Sequence, residues 1–230
     1  MAYRFQFQVI WNNWDLLLNG VWLTLQLSIF AVLFGLAIGV IGALCRTSGN
    51  RVLEAIAATY VEAIRNTPFL VQLLFIFFGI SSLGPRLGAY SAALLALTIN
   101  FGAYAVEIIR AGIESIDATQ LEAGMSLGLN RRQVFRLVVL KPAIANIYPA
   151  LTSQIVLLML LSSVVSQISA EELTFVGNFL RSRTFRDFEI YLAIALIYVG
   201  LTLLFKVSAQ VLHRRLFRLQ RVAPRVRCPL

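Results

Sequence analysis

Apolar positions along this chain come in long blocks rather than in a short alternating rhythm. Five windows carry no charged residue: 16–45, 66–85, 87–106, 142–170 and 190–205. A helix needs about 20 mainly apolar residues to cross a bilayer, so the pattern predicts five membrane-spanning helices. The last window is short, but Lys206 can snorkel its ammonium to the interface and let the helix run toward Leu212. The first is long enough for a tilted span with an interfacial lead-in. It is too long for the apolar core of a signal peptide, and no small-residue cleavage site follows it.

The segments between the windows have patterns of their own. Tyr3, Phe5, Phe7, Trp11 and Trp14 make an aromatic lead-in suited to the outer interface. Val52, Leu53, Ile56, Ala57, Tyr60, Val61 and Ile64 form one helical stripe, with Glu54 and Glu62 off it. That predicts an amphipathic helix near the inner surface, feeding the second span at Thr67-Pro68. Gly84-Pro85 turns the chain, and Gly35, Gly39 and Gly42 allow a neighbouring helix close to the first span. The polar segment 114–142 predicts two short helices. Asp117 caps the first, Gly128 takes a positive φ to end it, and Asn130 opens a second, with Arg131, Arg132 and Arg136, that ends before Pro142.

Composition strengthens the membrane reading. The chain is 59% hydrophobic and 13% charged, with a mean hydropathy of +0.78, too little charge to cover a soluble domain of 230 residues. The net charge of +9 raises nucleic acid as a partner, but its distribution points to orientation. Arg46, Arg51, Arg65, Arg110, Arg131, Arg132, Arg136, Lys141 and the tail from Arg214 to Arg227 fall on one side of a five-span path. The positive-inside rule then puts the N-terminus outside and the C-terminus inside. Arg181, Arg183 and Arg186 are discordant, tempered by Glu171, Glu172, Asp187 and Glu189. Cys45, Cys228 and the single histidine, His213, make no metal spacing or disulfide framework. The expected architecture is one all-α membrane domain over 1–230. Its core is 20–212, its polar loop 114–142 and its basic tail 213–230.

Polar residues inside spans are costly and mark function or helix pairing. Asn100, Tyr104 and Glu107 share one helical face, and Arg110 follows one turn later. Asn100 and Tyr104 suit either a substrate pathway or interhelical hydrogen bonds, while Glu107 and Arg110 suit structural pairing. Ser163, Ser166 and Gln167 share a face beside Ser162, and Thr67 and Gln72 flank the start of the second span. These too fit a pathway, or back-bonding and capping.

The run Gln120-Leu121-Glu122-Ala123-Gly124-Met125-Ser126-Leu127-Gly128, continuing to Lys141-Pro142, resembles the EAA loop of ABC importer permeases. The segments from Tyr60 to Gln72 and from Asn100 to Arg110, Glu172-Leu173-Thr174, and Arg181 to Phe185 resemble permeases for polar amino acids. The resemblance implies a five-span type-1 importer subunit of the bacterial inner membrane that moves amino acids inward by alternating access. It implies docking on an ATPase through Glu122, Ala123, Gly124, Gly128, Arg131 and Arg132. The implied partners are a second permease, two ATPase subunits, a periplasmic solute-binding protein and membrane lipid, with no nucleic acid. ATP and Mg would lie on the ATPase, with no cofactor on this chain and no enzyme activity of its own; this chain has no phosphate-binding Gly-rich Lys-Ser/Thr motif.

Three departures from the family pattern stand out. Gly124 replaces a usual Ala, and Pro142 lies one position late. Leu160-Leu161-Ser162-Ser163-Val164 stands where members commonly carry Lys-Asp-Thr-Ser-Leu. Loss of the carboxylate at Leu161 argues for a non-cationic substrate, or for a heterodimer in which the partner holds it. The remaining readings are a non-transporting membrane scaffold and, against the lack of a mid-span carboxylate, a secondary transporter.

Overall fold

The computed structural model describes residues 5–84 and 86–216, and all secondary structure among them is helical. Tyr3, Arg4, Pro85 and the tail residues Arg218, Arg221, Arg225, Arg227 and Cys228 lie outside the described residues, as does the side chain of Arg131.

A short α1 (Gln8–Asn12) leads into α2 (Trp14–Arg46), whose Asp15 and Arg46 sit at the ends that the helix dipole favours. Asn50 Oδ1 accepts the Val52 N–H at 2.9 Å and so starts α3 (Arg51–Arg65). Pro68 then takes φ −63°, ψ 136°, and the chain bends by 106° into α4 (Phe69–Ser82). α5 (Ala89–Glu114) crosses next and continues two turns beyond the expected end of the third span. α6 (Ala118–Ser126) follows. The long α7 begins at Arg131–Val134, passes a π turn at Phe135–Val139, runs through Leu140–Leu161 and tightens into a 3-10 segment, Ser162–Ile168. α8 (Leu173–Thr184), which the apolar windows did not predict, precedes α9 (Asp187–Leu216).

Among the described residues, four helices are long and apolar enough to cross a membrane: α2, α5, α7 and α9. A fifth crossing exists if the bent α3–α4 pair counts as one. Of that pair, only α4 lies in the second apolar window, and it is shorter than the window itself.

Two expectations need correction. The second helix of the polar loop does not end before Pro142, because α7 runs through both Pro142 and Pro149. A proline inside a helix clashes with the carbonyl four residues back, here that of Val138. The π turn at Phe135–Val139 widens the backbone at that place. The predicted α3 stripe is also split. Ala57 and Val61 are buried, whereas Val52 and Ile56 are exposed and only half the stripe meets the bundle.

The core joins α2, α4, α5 and the end of α7 around Leu27, Leu73, Leu97, Phe101 and Val165, all fully buried. α2 meets α5 through its small stripe. A Cβ at Gly35 would stand 2.7 Å from Phe101, and one at Gly39 2.5 Å from the Ala105 Cβ. A smaller cluster of Leu17, Leu173, Ile190 and Ile194 ties α8 and α9 to the start of α2.

Candidate functional site: an exposed helical knob and a polar mid-bundle track

The knob between α5 and α7 is built by local chemistry. Asp117 accepts the Thr119 N–H at 2.9 Å and the Thr119 hydroxyl at 2.8 Å, capping α6. Those bonds, the backbone one first, hold the Asp117 carboxyl below its ordinary range. Gly128 ends α6 at φ +81° in a Schellman turn. Its own N–H donates to the Met125 carbonyl and the Leu129 N–H to that of Gly124. Asn130 and Gln133 then exchange backbone-to-side-chain bonds of 2.9 and 3.0 Å, a capping box that opens α7.

Side chains on the knob face two ways. Glu122, Ala123, Gly128 and Arg132 are exposed. Gly124 is buried instead, with Val134 and Val138 of α7 3.2 and 3.4 Å from where its Cβ would be. Its small size therefore serves the packing of α6 on α7 within this chain. Beside it, Ile113, Ile116, Leu121, Met125 and Phe135 line an apolar groove of about 340 Å³.

In the bundle the structure links three predicted residues. Asn100 Nδ2 donates to Gln72 Oε1 at 3.0 Å, both groups buried. Gln72 Nε2 donates in turn to the Ile64 carbonyl at 2.7 Å, the Thr67 carbonyl at 3.0 Å and Thr67 Oγ1 at 2.8 Å. This chain of bonds bridges the α3–α4 bend and fastens it to α5. Tyr104 stands apart from it, its ring centroid 5.5 Å from the Arg65 guanidinium. Glu107 pairs with Arg110 at 2.9 Å and with Arg46 of α2 at 3.7 Å, and Arg110 also pairs with Glu114.

The serines at the end of α7 bond to their own backbone. Ser162 donates to the Met159 carbonyl, Ser163 to that of Leu160 and Ser166 to that of Ser163, at 2.6 to 2.8 Å. The expected shared face of Ser163, Ser166 and Gln167 is broken. A 3-10 segment turns about 120° per residue, so Gln167 rotates away and is exposed while Ser166 is buried.

Other contacts were not among those expected from the residues, although Tyr60 and Glu172 lie in the segments that resemble the family. Glu172 is fully buried at the head of α8, accepting the Phe175 N–H at 2.9 Å and the Tyr198 hydroxyl at 2.7 Å. Tyr60 donates to the Ile99 carbonyl and Tyr148 to that of Ala209, each at 2.7 Å. Among the described residues, no group of three His, Cys, Asp or Glu side chains is placed to hold a metal.

Known proteins share both the sequence and this architecture. Residues 18–218 match the family described as binding-protein-dependent transport system inner membrane component. The glutamine transport system permease protein GlnP of Escherichia coli (strain K12) is 34% identical over 215 residues, 93% of this chain and 98% of that protein. The L-cystine transport system permease protein TcyB of Bacillus subtilis (strain 168) is 35% identical, covering 89% of this chain and 88% of that one. A chain in the crystal structure of an amino acid ABC transporter with histidines superposes with a TM-score of 0.87 at 38% identity, covering 93% of this chain and all of that one. The chain therefore belongs to the family of binding-protein-dependent transport system inner membrane components, as a multi-pass inner-membrane permease subunit of the amino-acid ABC importers.

Proposed function

We propose that this chain forms half of the path by which an amino acid enters the cell, and that its α6–α7 knob is the handle by which an ATPase drives it. The observation that carries this reading is a capped, exposed helical projection outside the spans, in a chain related over nearly its whole length to amino-acid permeases. Exposed Glu122, Ala123, Gly128 and Arg132, with Arg131 beside them, make the contact, and Gly124 keeps the knob compact. ATP and Mg act on the ATPase, so this chain performs no chemistry. The N-terminus is periplasmic and the C-terminus cytoplasmic, a reading that the arginine distribution supports.

ATP binding draws the ATPases together, the knobs follow, and the spans exchange inward- and outward-facing packings. Tyr104 and Ser163 line the path. Asn100, Gln72, Thr67, Ser162 and Ser166 shape its wall through the bonds above, and Glu107 with Arg110 and Arg46 fixes the inner ends of α5 and α2. A second permease completes the path, and a periplasmic binding protein delivers the solute. Purification of the tagged chain from native membranes, followed by reconstitution, tests the reading. Recovery with an ATPase and ATP-driven amino-acid uptake are expected. A chain recovered alone, or one transporting without ATP, would instead be a scaffold or a secondary carrier.

A further inference from the structure

The inner halves of α7 and α9 touch where Tyr148 bonds to the Ala209 carbonyl. Grooves of opposite chemistry flank that contact. One, of about 350 Å³, is walled by Leu151, Ile155, Phe205 and Leu212. The other, of about 500 Å³, is walled by Ser153, Lys206, Gln210, His213 and Arg214. On α9 the two sets of residues fall about a third of a turn apart. One side of the contact thus suits lipid and the other suits water.

Lys206 is the telling member. Arg214 and Arg215 lie where the helix leaves the bilayer, and the positive-inside rule accounts for them. Lys206 comes two turns earlier, among exposed Leu203, Leu204 and Val207. Snorkelling brings its ammonium toward the inner interface, and there Lys206 forms the wall of this groove beside Gln210 and Arg214. The groove has no acidic wall residue, and among the described residues Lys206 and Arg214 make no ion pair. Ser153 is exposed and sits seven residues before exposed Leu160, on the same helical face. The groove therefore opens on the face of α7 that continues to the Leu160–Ser163 segment.

We propose that this groove binds the carboxylate of a substrate with net negative charge, so that the chain serves an acidic, dicarboxylic amino acid rather than a neutral or cationic one. The proposal rests on the reading of the chain as an amino-acid permease. A carboxylate leaving bulk water needs a countercharge, and Lys206 and Arg214 supply two, with the Gln210 amide and Ser153 hydroxyl beside them. A neutral amino acid brings one carboxylate, offset by its own ammonium, whereas a dicarboxylic one brings a second carboxylate and so one for each cation.

The complete transporter with its binding protein, in proteoliposomes, tests this with labelled L-glutamate, L-glutamine and L-arginine. Glutamate is expected to enter at least about tenfold faster than the other two. Lys206→Gln should lower glutamate uptake at least about tenfold, with ATPase assembly unchanged, and Lys206→Arg should restore it. Preferred uptake of glutamine or arginine, or full glutamate uptake by Lys206→Gln, overturns the proposal and leaves the permease reading standing. A defect of Lys206→Gln present with phosphatidylglycerol in the vesicles and absent in phosphatidylcholine alone also overturns it, since the groove would then hold a lipid phosphate. If Lys206→Gln does not assemble, the preference of the unaltered transporter decides. Failure to take up any amino acid class would remove the permease reading itself.

Discussion

Gly128 stands at φ +81° with nothing within 4 Å of where a Cβ would be, so strain and contact can be separated at this position. Gly128→Ala adds about 1 kcal/mol of left-handed strain and no clash within the chain. It should keep ATPase binding. Gly128→Asp adds a charge as well and is expected to lose the ATPase in co-purification while the permease still inserts. Full ATPase binding by the Asp variant would remove the docking role. At Asn100 the hydrogen bond to Gln72 sets the expected order of failure. Asn100→Leu strands the buried Gln72 Oε1, a cost of about 1–3 kcal/mol. Thermal stability and yield should fall before transport by the surviving protein does. Normal stability with lost uptake would make Asn100 a substrate contact instead.

At the scale of elements, the glycine stripe of α2 sets how closely it meets α5. Gly39→Ala would place a Cβ 2.5 Å from that of Ala105, far inside contact distance, and over-packing of this kind costs about 1–3 kcal/mol. Gly200→Ala, with open space around it, should be silent or slightly stabilising. Melting curves of the two variants in one detergent compare them directly. The 35, 39, 42 spacing made this contact legible from the residues alone, as did the apolar windows of α2, α5, α7 and α9 and the Asp117 and Asn130 caps. The departures from a regular helix were not legible. Neither Phe135–Val139 nor Ser162–Ile168 contains a Gly or Pro, and their side chains fit α, π and 3-10 geometry alike, so nothing in them announced a change of pitch. That change of pitch is why Gln167 parted from Ser166. α8 was hidden for another reason: it is too short and too polar to register as a span, and Glu172 caps it from a buried position.

For the whole molecule, the number of permeases in the working transporter follows from what α7 offers a charged solute. Leu160 and Leu161 bring no charge, and the three serine hydroxyls beyond them are bonded to backbone. The groove of Lys206 and Arg214 has no acidic wall residue, so the substrate's ammonium finds no countercharge here. We expect uptake to require a second, different permease. Expression of this chain with only its ATPase and binding protein checks that, and robust uptake would establish a homodimer. The bend between α3 and α4 has a consequence at the same scale. At 1.5 Å per residue α4 reaches about 21 Å, against roughly 30 Å of hydrocarbon. If the pair crosses, the rest of the span comes from a tilted α3 or a thinned leaflet. The exposed Val52 and Ile56 give α3 a grip on acyl chains. Because the Gln72 bonds fasten this bend to α5, a crossing by the pair would pass the strain of a thicker or thinner bilayer to α5. Transport measured in lipids of different chain length is then expected to vary with thickness.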